Sequence, residues 1–442
     1  MDRPGIDLPS RLLLNLKSWR NATAWHIAFS GGLDSTVLLH LLAHLAKTQS
    51  LPTLNAIHVH HGLQAAADAW PEHCRSVCAA LGVPLQVVRV QVQPGASLER
   101  AARDARYHAF TETVQANEVL LTAQHRDDQA ETLLFRLLRG AGVRGLSGMP
   151  RQRPLGKGHL LRPLLDVTRA ELEAYASEQG LSWVEDPSNE DRQYSRNYLR
   201  HQVFPALASR WPQAVATMAR SAAHLSEAQA LLDDLADIDL SLASTVSDFD
   251  WLGLPSLELA ALEKLSVARQ RNAISRWLEP RTRMPDSDHW SGWEDLRDAT
   301  GDARPIWRLA QGELHRAGGR VWWVSGAWLN PLPVAGTWLD PALPLVLPGN
   351  GVLTLSGKIP DGPVQIRYRE GGEVMGLPNR GHRDLKRLLN ENAVPSFVRG
   401  RLPLLYKDGQ LLAVANLKGL DGGAIGDWHL HWQPLNEDQG LS

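Results

Sequence analysis

The segment SGGLDS has the residue types of a phosphate-binding loop. It follows the apolar run WHIAF and precedes the leucine-rich segment STVLLHLLAHLAK, so the sequence predicts a strand, a loop and a helix in succession. Two adjacent glycines let the backbone approach an anion closely, and free N–H groups at a helix start favour a phosphate. The loop consists of Ser30, Gly31, Gly32, Leu33, Asp34 and Ser35.

The carboxylate of Asp34 would repel a phosphate unless it held a cation, so the loop implies Mg²⁺ with Asp34 as a ligand. The loop also lacks the lysine of a Walker A motif, which argues against ordinary transfer of a γ-phosphoryl group. A second acidic site begins the helical segment DDQAETLLFRLLRG. There Asp128 and Glu131 are three residues apart on one helix face, where both could orient Mg²⁺ or an ammonium group.

Charge is strongly segregated along the chain, although the net charge is only −2. Residues 139–169 contain seven lysines and arginines against one acid, and residues 367–408 contain nine against five. Residues 227–263 contain nine acids and no lysine or arginine. Such separate basic and acidic regions suit a protein that holds a polyanion in one orientation, although solvated surfaces without a partner would give the same pattern.

Strand-like and helix-like segments alternate over the first two hundred residues. The strand candidates are residues 25–30, 54–60, 85–92, 118–124 and 159–165, with amphipathic segments between them. This alternation predicts an α/β domain with a Rossmann-like parallel sheet covered on both faces, and a ligand is expected at the carboxyl ends of its strands. The phosphate loop follows the first of these strands.

The pattern changes after residue 205. We predict a catalytic α/β domain at residues 1–205, a helical domain at 206–330 and a small α+β domain at 345–442. The Pro/Gly-rich stretch at 330–351 is the best linker candidate. The segment HRDLKRLLNENA predicts one helix among the short strands of the last domain.

The loop resembles that of the PP-loop ATP pyrophosphatases, which cleave ATP between its α- and β-phosphates. Within that family, TAQHRDDQAETLLFRLLRGAGVRGLSGM closely resembles the tRNA(Ile)-lysidine synthases. Further likenesses are the helix SLERAARDARY, the elements RPLL and WVEDPSN, the pair Arg196-Asn197, and GHRDLKRLLNENAVPSFVRGRLPLLYKDG near the end. The resemblance spans roughly residues 24–415. The sequence departs from the family pattern at Gln124, a position where a histidine is common.

The resemblance implies roles for individual residues. Catalytic roles are implied for Asp34, Arg103, His125, Asp128 and Arg196, with Asp127 nearby. The implied lysine pocket contains Glu131, Asp186 and Asn189. Contacts to tRNA are expected from Arg139, Arg144, His382, Arg383, Lys386, Arg387, Arg399 and Arg401.

The implied function is the conversion of the wobble cytidine of a CAU anticodon to lysidine, with tRNA(Ile), L-lysine, ATP and Mg²⁺ as partners. ATP would adenylate the C2 oxygen of the base, and the lysine ε-amine would then displace AMP. We expect a cytoplasmic enzyme, because the sequence has neither the pattern of a secretory signal nor a membrane-spanning apolar run. The oligomeric state is open, with a homodimer as one candidate.

Three alternatives remain at this stage. A tRNA thiolase of the same loop family is disfavoured because the only cysteines, Cys74 and Cys78, are too few for a thiolase cluster. An amidotransferase-type synthetase acting on a small molecule would not need a basic C-terminal domain. A tRNA-binding module with a decayed loop is disfavoured by the intact Asp34 and DDQ segment.

Overall fold

The computed structural model describes residues 7–62, 68–92, 98–284, 287–300, 303–332, 336–358, 360–378, 381–424 and 426–435. Ser97, at the start of the SLERAARDARY motif, lies outside these residues. The chain divides into two compact units, Met1–Leu231 and Leu232–Ser442. Among the described residues, no helix combines the length and the apolar character needed to cross a bilayer.

The first unit is built on a six-stranded sheet with the strand order β3-β2-β1-β4-β6-β5. Its strands are β1 (Ala24–Ala28), β2 (Thr53–His60), β3 (Leu85–Arg89), β4 (Glu118–Leu121), β5 (Gln152–Leu155) and β6 (Gly158–Leu161). Its helices are α1 (Leu8–Asn15), α2 (Leu33–Ala46), α3 (Trp70–Leu81), α4 (Leu98–Thr113), α5 (Arg126–Leu137), α6 (Val143–Leu146), α7 (Arg169–Glu178), α8 (Ser195–Tyr198) and α9 (Phe204–Arg210).

The predicted parallel sheet is confirmed. Strand β1 pairs in parallel with β2 and β4, β2 with β3, and β4 with β6. The central strand is covered on both faces, because Trp25 and Ile27 are buried on one face and His26 is buried on the other. Strand β5 was not predicted: it pairs antiparallel with β6 at the edge of the sheet. It lies in the basic segment, where Arg153 and Pro154 interrupt the apolar pattern of a strand.

Within its described residues, the second unit contains three antiparallel or mixed sheets and five further helices. The helices are α10 (Ala214–Ala243, beginning in the first unit), α11 (Leu259–Glu263), α12 (Val267–Leu278), α13 (Ser291–Asp298) and α14 (Leu385–Glu391). The first sheet has the order β7-β10-β9-β8, with β7 (Ser256–Glu258), β8 (Ile306–Arg308), β9 (Gly312–Ala317) and β10 (Arg320–Ser325). Residues 206–330 therefore combine helices with a sheet, against which Trp293 and Trp323 are buried.

The other two sheets lie nearer the C-terminus. One has the order β11-β14-β17-β18-β15-β16 and the other the order β12-β13-β19. Their strands are β11 (Thr337–Trp338), β12 (Leu345–Leu347), β13 (Gly351–Gly357), β14 (Val364–Arg367), β15 (Val374–Leu377), β16 (Gly381–Asp384), β17 (Leu404–Lys407), β18 (Gln410–Val414) and β19 (Trp428–Gln433).

Two expectations for this region are corrected. The linker interpretation of residues 330–351 fails over its described part, because Trp338 on β11 and Leu347 on β12 are buried in the core of the unit. The helix predicted from HRDLKRLLNENA begins only at Leu385, where Asp384 caps it by accepting the backbone N–H of Arg387. The residues before Asp384 continue strand β16 instead.

Candidate active site

The phosphate loop lies at the carboxyl end of β1 and enters α2. Gly31 has a φ of +86°, and a Cβ on it would lie 3.0 Å from Val184 Cγ2 and 3.1 Å from Cys74 Sγ. Glycine is therefore required at this position for both its backbone conformation and its size. The Ser30 and Ser35 hydroxyls are 3.0 Å apart, and the Ser35 hydroxyl also donates to the Gly32 carbonyl. These bonds hold the loop in a turn around the N-terminus of α2, the end of a helix that attracts anions.

Asp34 lies in the first turn of α2 and points towards two cationic side chains. Its Oδ2 is 3.5 Å from Arg169 Nη1 and 3.7 Å from His125 Nε2, and its Oδ1 is buried without a hydrogen-bond partner among the described residues. Burial raises the pKa of Asp34, although His125 and Arg169 lower it in part. A buried carboxylate oxygen with an unused lone pair fits an Mg²⁺ ligand.

His125 lies at the centre of three carboxylates and is 1 % exposed. Its Nε2 is 3.6 Å from Asp128 Oδ2, and its Nδ1 is 3.6 Å from Asp127 Oδ2. Burial would lower the pKa of His125, but Asp127, Asp128 and Asp34 together raise it above the ordinary value. The surrounding carboxylates therefore favour the protonated form of the ring.

Asp128 and Glu131 lie on one face of α5 as predicted, and one arginine bridges them. Arg200 Nε is 2.7 Å from Glu131 Oε1, and its Nη2 is 2.9 Å from Glu131 Oε2 and 3.3 Å from Asp128 Oδ1. Asp128 Oδ2 accepts the backbone N–H of His125 at the start of the helix. Both oxygens of each carboxylate are thus engaged within the protein, and the side chain of Asp128 is the more exposed of the two.

A second group of side chains near this helix is strongly basic, and we call it the arginine cluster. In it, Arg103, Arg153 and Arg162 lie around Tyr107, and Arg136 lies near Arg103 and Arg196. The guanidinium carbons of Arg103 and Arg153 each lie 4.9 Å from the centre of the Tyr107 ring. Burial and the charges of Arg196 and Arg103 lower the pKa of Arg136.

The described partners of the arginine cluster are neutral. Arg136 donates to the Gly145 and Gly148 carbonyls, Arg162 to the Pro150 carbonyl, and Arg196 to the Thr132 hydroxyl at 3.4 Å. Like charges held together without carboxylate partners favour a bound anion, because an anion relieves their mutual repulsion.

The remaining predicted residues of the first unit lie around this centre or on its surface. The Val184 backbone N–H donates to the Gly31 carbonyl, which brings the WVEDPSN segment against the loop. Asp186 caps the turn that follows, and the Asn189 carbonyl is a partner of His201. Gln124, the departure from the family pattern, accepts the Thr122 hydroxyl.

The two predicted tRNA contacts in the RGAGVRGLSG segment are exposed. Arg139 lies over the Phe135 ring at 5.2 Å, and Arg144 is on the short helix α6. Sequence reasoning missed Arg169 and Arg200 as members of the site. The spacing of Arg200, four residues after Arg196, was the available signal, since it predicts two arginines on one helix face.

The tRNA contacts predicted for the second unit divide into two groups. His382, Arg383, Lys386 and Arg387 are exposed on β16 and α14. Arg401 does not fit a phosphate contact: it is 7 % exposed and donates to the Gly349, Ala327 and Asn330 carbonyls. Arg399 is half-buried and donates to the Val394 carbonyl and the Asn390 side chain.

Three sequence models of protein families match the chain. A PP-loop domain matches residues 9–207, a TilS substrate binding domain 257–322, and a TilS substrate C-terminal domain 364–432. The tRNA(Ile)-lysidine synthase of Pseudomonas fluorescens is 72 % identical over 100 % of both chains. The enzyme of the same name from Pseudomonas aeruginosa is 61 % identical over 99 % of this chain and 100 % of its own. That from Shigella flexneri is 42 % identical over 88 % and 91 %.

The chain belongs to the family of tRNA(Ile)-lysidine synthases. The family resemblance and the fold class inferred from the sequence are thereby confirmed. The residues matched by the PP-loop domain include the whole phosphate loop, the carboxylates around His125 and the arginine cluster. Burial raises the pKa of Cys74 to about 12 and that of Cys78 to about 11, which disfavours both as thiolate nucleophiles.

Proposed function

We propose that this chain attaches L-lysine to C2 of the wobble cytidine in the CAU anticodon of tRNA(Ile), at the expense of ATP, giving lysidine, AMP and pyrophosphate. The observation that carries this proposal is the proximity of Asp34 in the phosphate loop to His125 and its neighbour Asp128. Such a site combines phosphate binding with carboxylates that can receive an amine. Relatives named for this activity cover the whole chain.

In the first step, the C2 oxygen of cytidine attacks the α-phosphorus of ATP, and the bond to the bridging oxygen of the β-phosphate breaks. The N–H groups at the start of α2 and the Ser30 and Ser35 hydroxyls hold the phosphates. Asp34 would hold Mg²⁺, which supplies charge neutralisation for the leaving pyrophosphate. The protein contributes alignment and fixed positive charge.

In the second step, the ε-nitrogen of lysine bonds to C2, and the C2–O bond breaks to release AMP. The amine must be neutral when it attacks, so a carboxylate has to hold the ammonium and accept its proton. Asp128 supports this role best, since its side chain is 17 % exposed, whereas that of Glu131 is 4 % exposed and is bound at both oxygens by Arg200. Asp186 and Asn189 are further candidates for the pocket.

The tRNA is held through its phosphates. The arginine cluster supports binding of the backbone near the anticodon, and the exposed Arg139 and Arg144 extend the basic surface. In the second unit, the side chains on β16 and α14 position the tRNA without reading its sequence. We propose the cytoplasm as the location, since the tRNA substrate is present there, and a homodimer as the assembly to test first.

One assay tests the function. Purified chain is incubated with labelled lysine, ATP–Mg²⁺ and unmodified tRNA(Ile) bearing CAU. Label should enter the tRNA only when ATP is present, and a tRNA(Ile) with GAU in place of CAU should remain unlabelled. Cleavage of ATP without incorporation of lysine would refute the assignment. Omission of Mg²⁺ should abolish both steps.

A further inference from the structure

Arg200 occupies an unusual position in the backbone. Residues Leu199–Val203 form a turn of π-helix between α8 and α9, and Pro205 follows in the first turn of α9. Proline has no N–H to donate to a preceding carbonyl and its ring crowds that carbonyl, so a wider turn accommodates it. Turns of this kind inside helices occur often at functional sites. Here the turn carries Arg200 towards α5.

Arg200 links the buried Glu131 to the more exposed Asp128. Glu131 is buried, and burial raises its pKa while Arg200 lowers it in part. The guanidinium binds both oxygens of Glu131 at 2.7 and 2.9 Å, a two-point geometry that fixes its plane. The same Nη2 reaches Asp128 Oδ1 at the longer distance of 3.3 Å. The strong anchor therefore lies on Glu131, and the weaker contact orients Asp128.

We propose that Arg200 is a positioning residue for the amine step. Anchored by Glu131, it fixes the carboxylate of Asp128 in the orientation that receives the lysine amine. The inference rests on the proposed function and reassigns Glu131 from a direct lysine contact to the anchor of Arg200. Lysine at position 200 cannot replace the arginine, because an ammonium is a point charge and cannot bind two oxygens in one plane.

The test compares Arg200→Lys, Arg200→Gln, Glu131→Gln and the double variant Arg200→Gln/Glu131→Gln. Two quantities are measured in each: the KM for lysine in lysidine formation, and the rate of pyrophosphate release with tRNA but without lysine. We expect Arg200→Lys to raise the lysine KM about tenfold and Arg200→Gln more, with pyrophosphate release within about threefold of wild type. The matched control, Arg220→Gln on α10, changes neither.

The double variant separates positioning from a merely structural role. If Arg200 and Glu131 act as one unit, the double variant raises the lysine KM no more than the worse single variant does. It removes both charges of the Arg200–Glu131 pair together, so it also serves if Arg200→Gln alone fails to fold. Additive effects, or an unchanged lysine KM with slower pyrophosphate release, would overturn the inference. Failure of wild type to incorporate lysine would instead refute the proposed function.

Discussion

At the residue scale, the site balances opposite charges at short range. Asp34, Asp127, Asp128 and Glu131 are set against His125, Arg169 and Arg200, all within ion-pair distance of at least one partner. Each contact joins residues that are distant in sequence, except those on α5 itself. The carboxylates are therefore held in place before substrate arrives, which reduces the reorganisation needed during reaction.

Gly31 gives the first prediction at this scale. Gly31→Ala combines a Cβ 3.0 Å from Val184 Cγ2 with a φ of +86°, so the loop must shift. We expect kcat/KM for ATP to fall at least about 100-fold, because small displacements of a binding loop misalign the reacting atoms. Gly180→Ala is the control, since Gly180 has a φ of +60° but its Cβ would contact nothing. Equal losses of activity in both variants would contradict the role of the loop.

His125 gives a prediction about pH. Its pKa is raised in the folded protein, so the native state binds a proton more tightly than the unfolded chain does. The stabilisation is complete below the unfolded pKa of about 6.5 and is lost as pH rises through the higher folded pKa. In urea unfolding from about pH 6 to about pH 9, wild type should therefore lose stability relative to His125→Asn. A gap that stays constant with pH would show that folding does not raise the pKa of His125.

Contiguous residues were predictable and distant partners were not. Asp34, His125 and Asp128 were predicted as site residues because they lie within short contiguous motifs, SGGLDS and HRDDQ. Arg200 lies 69 residues after Glu131, and no local rule pairs them. Arg401 shows the reverse error: its motif is basic, but a neighbouring tryptophan and three carbonyls bury it.

At the element scale, the site depends on the starts of three helices that meet at the carboxyl edge of the sheet. The loop begins α2, His125 begins α5 and Thr168 begins α7. The strand–helix alternation predicted this edge as the ligand site. It could not predict β5, whose pairing with β6 depends on a tight turn rather than on an apolar run.

The cap of α7 gives a prediction at this scale. The Thr168 hydroxyl accepts the backbone N–H of Glu171, and the next residue, Arg169, donates its own N–H to Asp127 Oδ2 at 2.9 Å. Thr168→Ala should lower the free energy of unfolding by about 1 kcal/mol, since one helix N–H loses its partner. Thr168→Ser keeps the acceptor and should retain most of the stability. Urea unfolding measures both, and equal losses would exclude the cap as the cause.

At the scale of the whole molecule, the proposed roles are divided between the two units. The first unit holds the phosphate loop, the carboxylates and the arginine cluster, and the second holds the exposed basic residues of β16 and α14. The charge segregation in the sequence anticipated this division. The limits of the three predicted domains remain a prediction, and residues 336–351 belong to packed structure rather than to a free linker.

The second unit gives the last prediction. Lys386 and Arg387 are exposed on α14, and Arg387 is paired at 3.0 Å with Glu391, which is itself exposed. If both contact tRNA phosphates, Lys386→Ala/Arg387→Ala should weaken tRNA binding and reduce the slope of log K against log salt by about 1 to 2. The KM for ATP should not change. Lys17→Ala/Lys47→Ala removes two exposed charges from the first unit and is the control. An unchanged slope in the α14 variant would mean that this surface does not meet the tRNA backbone.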